Sequence, residues 1–210
     1  MRVLVLCDDH YHPGSVPRGG LEMLGDPNFQ FEFVEDVTGW SVERLKDYPL
    51  VVFSKSDEVS SAHRGVKWVT PEVEQAFVDF VKRGGGLLAT HSGTVYRDMP
   101  TMRGLLGGAF ISHPKQCPVT HTFKAGHPLA AGCVEFTLTD EHYQMELDDP
   151  QADVYMTTTS EHSTMPGAWT RTVGQGRVCV LTPSHNLEVW QHPSFQAALR
   201  NALRWCAKLA

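Results

Sequence analysis

Apolar residues fall along this chain in runs of distinct rhythm. Residues 3–7 (Val-Leu-Val-Leu-Cys), 50–53 (Leu-Val-Val-Phe) and 86–90 (Gly-Leu-Leu-Ala-Thr) are short and almost continuously apolar. That pattern predicts strands buried on both faces of a parallel sheet. Phe29, Phe31 and Phe33 alternate with polar residues, which predicts a strand near an edge, with one wet face. Between 70 and 84 the rhythm becomes helical. Thr70 is placed to cap, Pro71 occupies the first helical position, Val73, Ala76, Phe77, Phe80 and Val81 recur at helical spacing, and Lys82-Arg83-Gly84 closes the helix. A helix flanked by two strands on short connectors implies a right-handed crossover in a parallel sheet. Residues 168–173 and 176–181 around Gly174-Gln175-Gly176 read as a hairpin, and Phe195, Ala198, Leu199, Ala202, Leu203 and Cys206 mark a final amphipathic helix starting near Pro193. Between 100 and 165 the pattern is weaker: residues 104–108 read as turns, and 119–123, 134–139 and 154–159 as strands. The expected fold is α/β, flavodoxin-like, a mostly parallel sheet with helices on both faces, in a single domain over 1–210.

Composition narrows the function. With 210 residues, 41% hydrophobic and 20% charged, the chain has a globular balance. A net charge of −6 would repel a phosphate backbone, and no Lys/Arg cluster offers a local exception, so no nucleic-acid partner is expected. The N-terminal apolar run is too short for a signal peptide or a membrane span, so the expected setting is the cytoplasm, without membrane attachment. Five cysteines without a C-x-x-C pair read as reduced thiols.

Histidine is the informative residue, with eleven copies. In an open parallel sheet, ligands bind beyond the carboxyl ends of the strands. The predicted strand ends carry Asp8-Asp9-His10-Tyr11-His12, Ser54-Lys55-Ser56-Asp57, His91-Ser92 and Ser184-His185. Each histidine alone is an ordinary loop residue; the topology sends these groups to one crevice, where titratable residues mark an active site. His63, His127, His162 and His192 lack such placement and are assigned to loops or caps. The turn at residues 89–93 has the form in which some α/β enzymes project a nucleophile, here with His91 at the tip.

The run from Gly84 to Gly93, then Leu105-Leu106-Gly107-Gly108-Ala109-Phe110 with His113-Pro114, His127-Pro128-Leu129, Asp140-Glu141-His142-Tyr143, and a closing pattern through Trp169, Arg171, His185 and Trp190 resemble the trehalose-utilisation (ThuA-like) family over about residues 84–207. That family is similar in fold to class I glutamine amidotransferases, whose glutaminase members carry Cys at the elbow and a late His followed by Glu. Here His185 and Glu188 resemble the late pair, with one extra residue between them, and His91 replaces the cysteine. Without a thiolate no glutamyl thioester forms, so glutaminase activity is not expected.

The resemblance implies an enzyme acting on a small-molecule sugar or keto-sugar, of isomerase, hydrolase or lyase type, with His91, Glu141 and His185 as catalytic candidates. Asp9, Ser56, Tyr143 and Trp190 are the substrate-binding candidates, Trp190 as the leading platform for a sugar ring. Imidazoles and a carboxylate suit a zinc-like divalent metal, with His10 or His12, His91 and His185 as ligands and Glu141 available to join them, and equally suit metal-free acid–base work. The acidic motif at 140–143 also reads as an exposed turn. A non-catalytic sugar- or metabolite-binding domain is the alternative, and a homo-oligomer is left open.

Overall fold

The computed structural model describes residues 1–209. Strands β1 (Arg2–Cys7), β2 (Gln30–Val34), β3 (Leu50–Ser54) and β4 (Gly86–Thr90) form as the apolar runs predict. Strands β5 (Gly108–Ser112), β6 (Cys117–Phe123), β7 (Phe136–Asp140), β8 (Gln144–Leu147), β9 (Asp153–Thr159), β10 (Thr164–Val173) and β11 (Gly176–Leu181) follow. Nine of them make one sheet in the order β2-β1-β3-β4-β11-β10-β9-β6-β7, while β5 and β8 pair apart from it. From β2 to β11 the neighbours are parallel; from β11 to β7 they are antiparallel. The parallel half thus has the flavodoxin-like strand order, and its topological switch point lies between β1 and β3.

Side-chain alternation along each buried strand divides the core in two. Val3, Val5, Leu50, Val52, Leu88 and Cys179 meet α1 (Ser15–Met23), α4 (Leu187–Gln191) and α5 (Pro193–Cys206) through Leu21, Trp190, Phe195 and Leu199. Leu4, Leu6, Val51, Phe53, Leu87 and Val180 meet α2 (Pro71–Lys82) and α3 (Pro100–Leu106) through Phe77, Phe80, Met102 and Leu106. Each large side chain fully buried this way contributes about 1.5–3 kcal/mol. β2 is the edge strand of the parallel half, with Phe31 and Phe33 packed on the first of these clusters.

Three elements depart from the sequence expectation. Residues 104–108 are not a run of turns: α3 ends at Leu106 with Gly107 as a left-handed cap (φ 81°), and β5 starts at once. Seven residues are too few to display a helical period. α1 contains Pro17, Gly19 and Gly20, which suppress its helix signal. Gly20 is there because a Cβ would stand 2.5 Å from the Trp190 ring. Helix α4 is a five-residue turn set by the loop after β11.

Candidate functional site

The carboxyl ends of β1, β4 and β11 each finish on a strained residue. Asp8 (φ 71°), His91 (φ 40°) and Ser184 (φ 100°) are non-glycine residues in the left-handed region. Such strain persists only where the surroundings hold it, and it gathers at functional sites. Side-chain carboxylates do the holding at two of the three. Asp8 accepts from the backbone N–H groups of Gly14 (3.0 Å) and Ser61 (2.7 Å), and buried Asp140 accepts from those of Ser184 (2.7 Å) and Asn186 (3.1 Å). Burial pushes the Asp140 carboxyl up to about 6 even against these hydrogen bonds. At the elbow the constraint is steric: a Cβ on Gly93 would lie 1.9 Å from the Phe53 carbonyl oxygen.

These turns and the end of β7 bring four side chains together. One ligand-type atom from each of His12, His91, Glu141 and His185 lies within 4.8 Å of all the others. Glu141 Oε2 is 3.4 Å from His91 Nε2 and 3.2 Å from His185 Nδ1, yet both nitrogens are buried without a hydrogen-bond partner. The far nitrogens of two of the rings are anchored. His12 Nδ1 donates to Asp9 Oδ1 at 2.6 Å, and His91 Nδ1 donates to the Thr182 carbonyl at 2.9 Å. Each anchor fixes a tautomer and leaves Nε2 with a lone pair facing the centre.

Burial and mutual contact set the charge of each member of the cluster. Burial drives His91 down to about 4, so it is neutral at physiological pH despite the carboxylate beside it. Burial alone would raise Glu141, but the attraction of the neighbouring His185 and His91 rings outweighs it and holds the carboxyl well below its usual range. The Glu141 contact raises His185 against its own desolvation. Asp9, buried yet bonded to His12 and to backbone N–H groups, is held near 2.

A cavity of about 540 Å³ opens against His12, Glu141 and Tyr143, with Ser56, Phe110 and His113 on its walls. His91, Glu141 and His185 therefore converge, as does His12. Other residues expected at the site fall elsewhere. His10 is exposed and its ring lies outside the cluster; its place after β1 sends it to the surface while His12 turns inward. Trp190 is 1% exposed and packs in the core beneath the site, its Nε1 donating to the Ser184 carbonyl at 2.8 Å, so it offers no face to a ligand. Glu188 is exposed, and His185 pairs instead with Glu141. Asp9 spends its oxygens on His12, Tyr11 N and Ser56 N and orients the ligand set from behind. Ser56 lines the cavity, and Tyr143 stacks on His91 at 4.0 Å.

His113 is the residue that strand-end reasoning passes over. It follows β5, outside the main sheet, and places Nε2 3.7 Å from Glu141 Oε2 while Nδ1 donates to the Pro114 carbonyl at 2.8 Å. Its only sequence signal is the His113-Pro114 pair within the family-like pattern. His127 and His192 act as caps, accepting from Leu129 N and Ser194 N.

Comparison with known proteins decides the family. The model of the ThuA family, described as trehalose utilisation, matches residues 2–206. The chain belongs to the ThuA family. The match takes in the N-terminal third, where the sequence alone showed only a general βα pattern. Among solved structures, a ThuA-like protein from Parabacteroides merdae superposes with a TM-score of 0.77 at 17% identity, covering 99% of this chain and 90% of that one. One from Bacteroides uniformis gives 0.76 at 17%, covering 98% and 91%. A β-galactosidase from Rahnella sp. R3 gives 0.68 at 15%, covering 99% of this chain but 31% of the enzyme. These likenesses share the fold. A search of curated proteins by sequence finds no match.

Proposed function

We propose that this ThuA-family protein is an enzyme acting on a sugar or keto-sugar, with a divalent transition metal held by His12, His91, Glu141 and His185. The observation that carries the reading is the pair of buried, unpartnered nitrogens, His91 Nε2 and His185 Nδ1, facing one carboxylate oxygen. Leaving a buried polar atom unsatisfied costs about 1–3 kcal/mol, and a cation at their focus would remove that cost. Three imidazoles and a carboxylate are a donor set suited to zinc or a related metal. Asp9 behind His12 and the Thr182 carbonyl behind His91 supply the outer contacts such ligands need.

When bound, the metal would polarise a sugar carbonyl or activate a hydroxyl or water. The remaining steps belong to the chain's own residues. His113, outside the ligand set with its Nδ1–H satisfied, is placed to take or give a proton through Nε2 at the cavity wall. The Tyr143 hydroxyl, 3.5 Å from His12 Nε2, orients a substrate oxygen above the centre. The carbohydrate assignment rests on the family and on this acid–base and metal-type chemistry.

The test is metal content of protein purified without a His-tag, together with turnover of a panel of glucosides and 3-keto-glucosides with and without added divalent metals. About one metal per chain and consumption of a sugar that stops on chelation are expected. Full activity in metal-free protein would make the histidines a proton-transfer set. Sugar binding without turnover would make the protein a binding domain.

A further inference from the structure

We propose that Tyr11 is the stacking platform for the outer part of the substrate, and that the substrate is an uncharged glycoside rather than a phosphorylated sugar. The proposal rests on the sugar chemistry proposed for this site and adds to it a residue and a substrate class.

Sugar rings present apolar faces that pack on exposed aromatic faces. Of the aromatic residues near the cluster, Trp190 is in the core. Tyr143 is 3% exposed, with His91 at 4.0 Å and Phe110 at 4.2 Å from its ring, so it has a hydroxyl to offer but no free face. Tyr11 is 59% exposed and lines the cavity, its ring centroid 6.4 Å from that of His12. An exposed tyrosine is ordinarily mobile, but this one is fastened. Its backbone N–H donates to Asp9 Oδ1 at 3.1 Å, its hydroxyl accepts from Arg64 at 3.2 Å, and the His10 ring stands edge-on at 4.8 Å. Glu58 ties the two loops together by accepting from His10 N at 3.0 Å and Gly65 N at 2.9 Å. A ring ordered before binding loses little entropy when a ligand arrives.

The charge of the cavity selects against phosphate. Asp57, Glu58 and Glu141 line it, and among the described lining residues the one lysine or arginine is Lys67, already 2.8 Å from Asp57 Oδ2. On the cavity wall a phosphoryl group would meet three carboxylates and a lysine already paired with one of them; Arg64, at the Tyr11 hydroxyl, stands outside that lining. The cavity, at about 540 Å³, is also larger than one hexose needs, leaving room toward Tyr11 for a second ring or an aglycone.

The experiment is calorimetric titration of the metal-loaded full chain, as wild type, Tyr11→Ala and Tyr11→Phe, with glucose, glucose 6-phosphate, trehalose and an aryl glucoside. Wild type should bind a glycoside more tightly than glucose, and glucose 6-phosphate no more tightly than glucose. Tyr11→Ala should weaken the glycoside about 3- to 10-fold, the span of a single aromatic stacking contact, leave glucose unchanged and retain metal, while Tyr11→Phe recovers most of the loss. Unaltered glycoside affinity in Tyr11→Ala, with sugars still bound by wild type, overturns the platform and leaves the sugar chemistry standing. Tighter binding of glucose 6-phosphate overturns the uncharged class. Failure of wild type to bind any of the four overturns both.

Discussion

At His91 a strained backbone, a buried imidazole and an anchored tautomer coincide, and each constrains what substitution will do. His91→Ala and His185→Ala should each abolish stoichiometric metal, whereas His63→Ala, on an exposed loop beside Asp36, should keep it; elemental analysis of the three variants checks this. Asp9→Asn keeps the ligand His12 but loses the carboxylate that fixes its tautomer, so metal affinity should fall about 10- to 100-fold. His113→Ala should behave differently from all of these. It should retain metal yet lose about 10²- to 10⁴-fold in turnover, the usual share of a positioned acid or base. Metal loss in that variant would make His113 a ligand.

The elbow after β4 is an element whose sequence and steric demands agree. Gly93 faces the Phe53 carbonyl so closely that Gly93→Ala should destabilise the protein by about 1–3 kcal/mol, the usual cost of overpacking, seen as a lower urea midpoint. The same elbow carries the His91 imidazole at its tip and no thiol. Cys7, at the end of β1, is buried and its thiol is pushed up to about 12 by desolvation, so it is no substitute nucleophile. Incubation with glutamine should release no ammonia; release abolished by alkylating one cysteine would contradict this. Below the site, Trp190 on α4 joins α1 to α5 through contacts with Gly20 and Phe195. Trp190→Ala should cost about 3–5 kcal/mol as a core truncation, measurable by denaturant unfolding.

On the scale of the whole molecule, the antiparallel half adds a pH dependence of stability remote from the cluster. His121 lies at the middle of β6, fully buried and stacked on Phe136 at 4.3 Å, and His192 stacks on the same phenyl ring at 3.9 Å. Burial lowers the His121 pKa from 6.5 to about 4. The unfolded chain therefore binds a proton at a pH where the folded one does not. Stability from this group is fully present above about pH 6.5 and is lost as pH falls toward 4, by about 3 kcal/mol. Urea unfolding of wild type and His121→Phe across that range should show a smaller pH slope in the variant; equal slopes would assign the effect to other groups. No helix among the described residues is long and apolar enough to cross a membrane; the parallel half with its switch point places His12, His91 and His185 at one edge of the sheet, and Glu141 reaches them from the end of β7 in the antiparallel half.

Continuous apolar runs at 3–7, 50–53 and 86–90 determined the buried strands, because a strand covered on both faces has no polar positions to show. The Thr70-Pro71 start and glycine end determined α2 in the same local way. With those strands in place, strand-end logic alone brought His10 or His12, His91 and His185 to one edge, the family-like pattern at 140–143 supplied Glu141, and the structure chose His12. What needed the tertiary structure was everything set by chain crossing. Glu141 displaced Glu188 as the partner of His185 because β7 ends beside β11's loop and is tied to it through Asp140. His113 entered from a separate two-stranded ladder that no rule about the main sheet predicts. Trp190, expected at the crevice, lies in the core and Tyr11 is the exposed aromatic, since a sequence shows that a ring is near a strand end but not on which side of the core it lies. Periodicity reports the face a residue presents to its own element; which loop then closes over that face depends on packing between segments far apart in the chain.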